Sequence, residues 1–244
     1  MVSEGICQGA FDIESVLMIG QSNMAGRGEL ESVKPIRNPK CFMLRNGRWQ
    51  PMREPVNPDR PIFEGLYRSG ISPAASFADD YAKYFGTNVG LIPCADGGTS
   101  LGEWMPGGLL YDHAVYLTRL AQRTSTLKAI LWHQGESDCV SDELVESYPQ
   151  RFAVMIAQLR KDLQAENLPV IIGELSQDLS EKWCGGRQKR LNQLMHTIPQ
   201  VVPNCIVASA TELPLKPDGL HFNAEACRVL GQRYFKKYLE LTEE

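Results

Sequence analysis

The 244-residue chain is predicted to fold as an α/β protein, a parallel sheet with helices on both faces. Three observations predict this. Short apolar runs bounded by glycine, proline or asparagine recur at 15–19, 88–93, 128–133, 169–173 and 205–208, as buried strands require. Segments with helical spacing separate them, so strands and helices alternate about five times. No internal repeat or Gly/Ser-rich linker interrupts the pattern, and the length suits one domain over 1–244 with a core of about 14–241.

The first run, Ser15-Val-Leu-Met-Ile19, leads into Gly20, Ser22, Asn23 and Gly26, residues that turn a chain. Residues 27–71 are polar and rich in proline (35, 39, 51, 55, 58 and 61). A loop this long in a compact domain is usually functional, so it reads as an insertion walling a substrate cleft; a merely decorative loop is the alternative. Within it, 43–49 reads as a hairpin turning at Asn46-Gly47. Ser72-Pro73 then opens a helix, Ala75, Ala78, Tyr81, Ala82 and Phe85 give its apolar spacing, and Gly86 ends it. The strand at 88–93 runs into the glycine-rich turn 94–100. A helix follows at 111–123 and the third strand at 128–133. The region 142–164 is helical, with Pro149 expected to break or kink it. After the strand at 169–173 comes a helix over 186–198, then the last strand. Asn223 caps a final amphipathic helix to Leu241, with Val229, Leu230, Tyr234 and Tyr238 on one side.

Composition narrows the functional classes. The chain is 43% hydrophobic and 22% charged, with net charge −4 and no basic run, so nucleic acid and anionic membrane are not expected partners. No apolar stretch approaches a membrane span, and the first 14 residues do not resemble a signal peptide. Seven cysteines lie far apart without a CxxC pair, which points to a reducing compartment and an expected cytoplasmic location. The four histidines (113, 133, 196 and 221) form no HExxH or His-x-His cluster, so neither a metal nor a cofactor is expected.

Three stretches could converge on one sheet edge, where α/β proteins bind ligands. Ser22 follows the first strand; alone, such a serine is more often a cap or turn residue, and it lacks the G-x-S-x-G elbow. His221 lies three residues after Asp218, a spacing at which a local turn brings the carboxylate to Nδ1 and leaves Nε2 for the serine proton. The order Ser, Asp, His is a known triad order. Gly97-Gly98 and the Gln134 amide are candidate oxyanion donors. His133 and Glu136 share the Gln134 loop and could instead satisfy each other, and Asp138 reads as a cap on the next helix. Trp104 and Met105 follow the glycine turn and are expected to cap an acyl pocket.

Gly20-Gln-Ser-Asn-Met24, Gly97-Gly-Thr-Ser-Leu101, Trp132-His-Gln-Gly-Glu-Ser-Asp138 and Asp218-Gly-Leu-His-Phe222 resemble the conserved blocks of the SGNH (GDSL-like) hydrolases. The variant is that of sialate O-acetylesterase-like proteins and carbohydrate esterase family 6, which includes acetyl xylan esterases. The resemblance implies a three-layer α/β/α sandwich with a five-stranded parallel sheet, and a serine esterase removing O-acetyl groups from carbohydrates. It implies Ser22 as nucleophile, His221 as base, and Ser22, Gly98 and Gln134 as oxyanion residues. Asp218 matches the acid, while Glu136 holds a triad-like role in this subfamily, so both stand as catalytic candidates. Gln21, Asn23, Thr99, Trp104 and His133 are the candidate substrate-binding residues. A sugar-binding protein on an inactive hydrolase fold and a lipid or thioester hydrolase are the alternative readings.

Overall fold

Strand β1 (Ile13–Gly20) is buried along nearly its whole length, as a strand covered on both faces must be. It pairs in parallel with β4 (Asn88–Pro93) on one side and β5 (Thr126–His133) on the other. The computed structural model, which describes residues 12–59 and 68–243, extends the sheet through β6 (Val170–Gly173) and β7 (Cys205–Ala208). Beyond β4 it continues through β2 (Cys41–Arg45) and β3 (Arg48–Pro51), giving the order β3-β2-β4-β1-β5-β6-β7. The sheet therefore has seven strands rather than the expected five. The difference is the hairpin: Cys41, Phe42, Met43 and Leu44 are all buried, so β2 joins β4 in parallel and β3 folds back antiparallel. Asn46 (φ 53°) and Gly47 (φ 72°) both take the left-handed region that such a two-residue turn demands.

Two apolar clusters flank the sheet. On one face α2 (Pro73–Phe85) and α8 (Ala224–Thr242) interlock through Phe77, Tyr81, Phe235 and Tyr238. On the other, α3 (Leu109–Gln122), α5 (Tyr148–Asp162) and α7 (Gln188–Met195) bury Tyr111, Phe152 and Leu191. Asn223 caps α8 by accepting from the Ala226 amide. Val229 is not on its buried side but 37% exposed, and Phe235 takes that place. The 142–164 region is broken as expected: α4 (Asp142–Glu146) ends just before Pro149, which sits in the first turn of α5, where no amide is needed.

Much of the 27–71 segment serves the fold. Besides the hairpin, Glu54 makes a two-pronged ion pair with Arg228 of α8, and Asn57 clamps both backbone groups of Ala95 beyond β4. Residues 60–67 of the expected cleft wall lie outside the described residues. The six described cysteines are buried and free. Among the described residues no helix is long and apolar enough to cross a membrane.

Candidate active site

Neighbours β4 and β5 leave β1 in opposite directions, so the crevice beyond the carboxyl ends of these strands is where a doubly wound sheet presents ligand-binding groups. Gly20 (φ 124°) ends β1 so close to β5 that a Cβ would lie 2.2 Å from His133 O. This passage delivers Ser22 to the start of the short helix α1 (Ser22–Ala25), where its N–H has no acceptor within the helix. From the other side, the Asp218-Gly219 turn just before α8 presents His221. Asp218 Oδ1 accepts from the Leu220 and His221 amides at 2.8 and 3.0 Å. Its Oδ2 lies 2.8 Å from His221 Nδ1, and His221 Nε2 lies 3.0 Å from Ser22 Oγ. Partial burial pushes the Asp218 pKa up, but hydrogen bonds from the His221 backbone and ring outweigh it and hold the carboxyl below the ordinary aspartate value.

Ser22 and His221 open on a cleft of about 350 Å³, also lined by Gln21, Arg27, Gly97, Gly98 and Glu136. Gly97 is pressed between Ser22 and Arg27: a Cβ there would meet Arg27 Nη2 at 2.4 Å and Ser22 Cβ at 3.5 Å. At Gly98 (φ 77°) the space around a Cβ is empty, so the backbone stands clear for a ligand.

Several expected site residues turn out to be scaffolding. Gln134 is fully buried; its Nε2 faces Asp138 Oδ2 (2.6 Å), Thr99 O (3.1 Å) and Gln21 Oε1 (3.2 Å), so its two hydrogens are already committed within the protein. It braces the site instead of offering an oxyanion amide. Gln21 lines the cleft in its place. Its Oε1 accepts from Gln134 and from the Gly135 and Ser137 amides, so the group it has to offer a ligand is Nε2. Asp138 caps no following helix; it ties Gln134, the Leu101 amide and Arg151 together. Trp104 is buried against Trp132 with its indole N–H on Thr99 Oγ1, and so caps no acyl pocket. Thr99 and His133 are buried too, His133 with Nδ1 on the Tyr234 hydroxyl at 2.8 Å. Asn23 joins Glu136 Oε1 (2.6 Å) to the Leu220 carbonyl and the Phe222 amide, fastening the serine turn to the histidine loop.

Glu136 faces His133 Nε2 at 3.6 Å, with no contact to His221 among its hydrogen bonds. Burial pushes its pKa up, yet the His133 ring and the Asn23 amide hold it below the ordinary glutamate value. A depressed folded value stabilises the protein above the unfolded value, about pH 4.3, and that stabilisation is lost as pH falls through the folded value. The gap in unfolding free energy between the wild type and Glu136→Gln is therefore expected to hold steady above about pH 5 and shrink below about pH 4. Urea unfolding across that range checks it; a pH-independent gap would reassign the charge.

Arg27, Ser137, Val140, Trp183 and Leu220, none of them a site candidate from the sequence, also line the cleft. A tryptophan just before Gly185-Gly186, outside any apolar period, was the available signal for Trp183. Among the described residues no group of His, Cys, Asp and Glu could hold a metal ion.

The fold is that of the SGNH-like hydrolases. The family model for carbohydrate esterases of the sialic acid-specific acetylesterase type matches residues 13–240, and the chain belongs to that family. It is thereby a carboxylic ester hydrolase of the carbohydrate acetylesterase group. A curated relative from Arabidopsis thaliana, described as a probable carbohydrate esterase, is 32% identical over 242 residues, covering 91% of this chain and 89% of its own. The X-ray structure of an Arabidopsis thaliana protein superposes with a TM-score of 0.83 at 29% identity, covering 94% of this chain and 98% of that one. NanS superposes at 0.71 with 18% identity (95% and 98% covered). A carbohydrate acetylesterase from Xanthomonas citri superposes at 0.68 with 19% identity (94% and 56% covered).

Proposed function

We propose that the protein is a serine O-acetylesterase acting on acetylated carbohydrates through an acetyl-enzyme. The observation that carries this reading is the unbroken hydrogen-bonded line from Ser22 Oγ through the His221 ring to Asp218, at 3.0 and 2.8 Å. Ser22 attacks the acetyl carbonyl while His221 Nε2 takes the hydroxyl proton. The Ser22 and Gly98 amides receive the negative charge that develops on the carbonyl oxygen. His221 then returns the proton to the departing sugar oxygen, and a water activated by the same ring releases acetate. Acetate release from a panel of acetylated glycans tests the reading; no release from any member would leave a sugar-binding protein on this fold.

A preference for acetyl over longer acyl groups follows from Arg27. Its guanidinium packs on Gly97 beside Ser22 and lines the cleft, so a lengthening acyl chain directed that way would meet a charged group. Each methylene that cannot be accommodated costs about 1–3 kcal/mol, so octanoyl esters are expected to show kcat/KM lower by roughly 10² or more. Comparable values for acetyl and octanoyl esters would refute this.

A further inference from the structure

The hydrolase reading determines which side of Ser22 each half of the ester occupies. His221 must reach the departing oxygen, so the alcohol half lies on the His221 side, and the carbonyl oxygen lies toward the Ser22 and Gly98 amides. Next to His221 the cleft is lined by Leu220 and by Trp183, which is hydrogen-bonded to the Asp218 turn, and Val140 also lines it. Trp183 belongs to the short helix α6 (Glu181–Cys184) and is 44% exposed, whereas Trp49, Trp104 and Trp132 are at most 5% exposed. Unlike the more exposed Tyr84 and Tyr116, Trp183 has its ring at the rim of the cleft that Ser22 and His221 line.

Its placement is firmly held. The indole Nε1 donates to the Asp218 carbonyl at 3.0 Å, and the Ser180 amide donates to the Gly219 carbonyl at 2.9 Å. A Cβ on Gly219 would lie 2.9 Å from Ser180 Cβ. The segment carrying Trp183 is thus docked on the turn that carries Asp218. With its N–H committed to the backbone, the indole offers a ligand a ring face and not a donor. Lys182 Nζ already lies 5.2 Å from the ring centroid, and the ring also borders the cleft. The same cleft is also lined by the polar Arg27, Glu136 and Ser137, which suits a hydroxylated ring better than an alkyl chain.

We infer that Trp183 determines specificity for the alcohol half of the ester: a pyranose ring stacks its C–H face on the indole while its esterified oxygen sits at His221. The inference rests on Ser22 and His221 being the nucleophile and base. The substrates it selects are acetylated pyranosides, and simple alkyl acetates lack the ring that the platform grips.

Kinetics with two acetate esters separate this role from a structural one. Trp183→Ala is expected to lower kcat/KM for an acetylated xylo-oligosaccharide roughly tenfold more than for ethyl acetate. Trp183→Phe, which keeps a ring, is expected to recover most of that difference. Equal losses on both esters would overturn the inference and make Trp183 a support of the Asp218 turn; no loss on either would overturn it as well. Binding is read apart from turnover in the Ser22→Ala protein. There the same oligosaccharide is expected to shield the exposed tryptophan from acrylamide quenching in a saturable way. Absence of shielding overturns the inference whatever the activity. Shielding in a protein whose wild type hydrolyses neither ester would uphold the sugar platform and overturn the hydrolase reading alone.

Discussion

Ser22→Ala is expected to lower kcat for acetyl-ester hydrolysis by roughly 10⁵–10⁶, with KM little changed. The hydroxyl is held 3.0 Å from His221 Nε2 at the end of a buried strand, in a turn fastened by Asn23 to both Glu136 and the histidine loop. Removing one oxygen leaves those fastenings in place, so the loss reports chemistry and not misfolding. What survives is what the oxyanion amides and substrate binding supply on their own, roughly 10³–10⁴ over water in a comparable triad. Because Ser22 and His221 act as a unit, adding His221→Ala to Ser22→Ala is expected to cost little more. A fluorophosphonate probe provides an independent check: it should label the wild type once, at Ser22, and leave Ser22→Ala unlabelled. Labelling elsewhere, or full activity in the variant, would assign the nucleophile to another residue.

How far the sequence reveals such a site depends on how local each contact is. The Asp218–His221 contact spans three residues and needs a turn alone, and the turn is written in Asp218-Gly219. The strand runs were legible because burial on both faces forces unbroken apolar stretches, as in residues 16–19. By contrast, whether Gln21 or Gln134 offers its amide to the cleft is decided where loops 113 residues apart meet. Both glutamines follow a strand end, and local pattern cannot rank them. The same holds for Trp104 and Trp183: one follows the glycine turn and is buried, the other sits in an unremarked stretch and is exposed. The hairpin was legible, but its joining of the sheet was not, since that rests on β2 meeting β4 more than 40 residues later.

The acid is the remaining assignment, and the two carboxylates separate cleanly by environment. Asp218 touches the His221 ring, while Glu136 touches Asn23 and faces His133, whose ring is turned to Tyr234. An Asp in contact with the base holds the productive tautomer and stabilises the imidazolium as it forms. Asp218→Asn is therefore expected to lower kcat by roughly 10⁴ with KM little changed. The two amide hydrogen bonds to Oδ1 keep the turn in shape in that variant, so the deficit arises at the ring. Glu136→Gln keeps an oxygen for Asn23 and loses a charge that lies against His133 and not against the His221 ring. Its cost is expected to stay below the roughly 10²–10³ of losing an oxyanion donor outright. Steady-state kinetics on both variants, each shown to be folded by circular dichroism, decide the matter. If Glu136→Gln proves the more damaging change, the charge that serves catalysis reaches the site through Asn23 and not through the Asp218 turn.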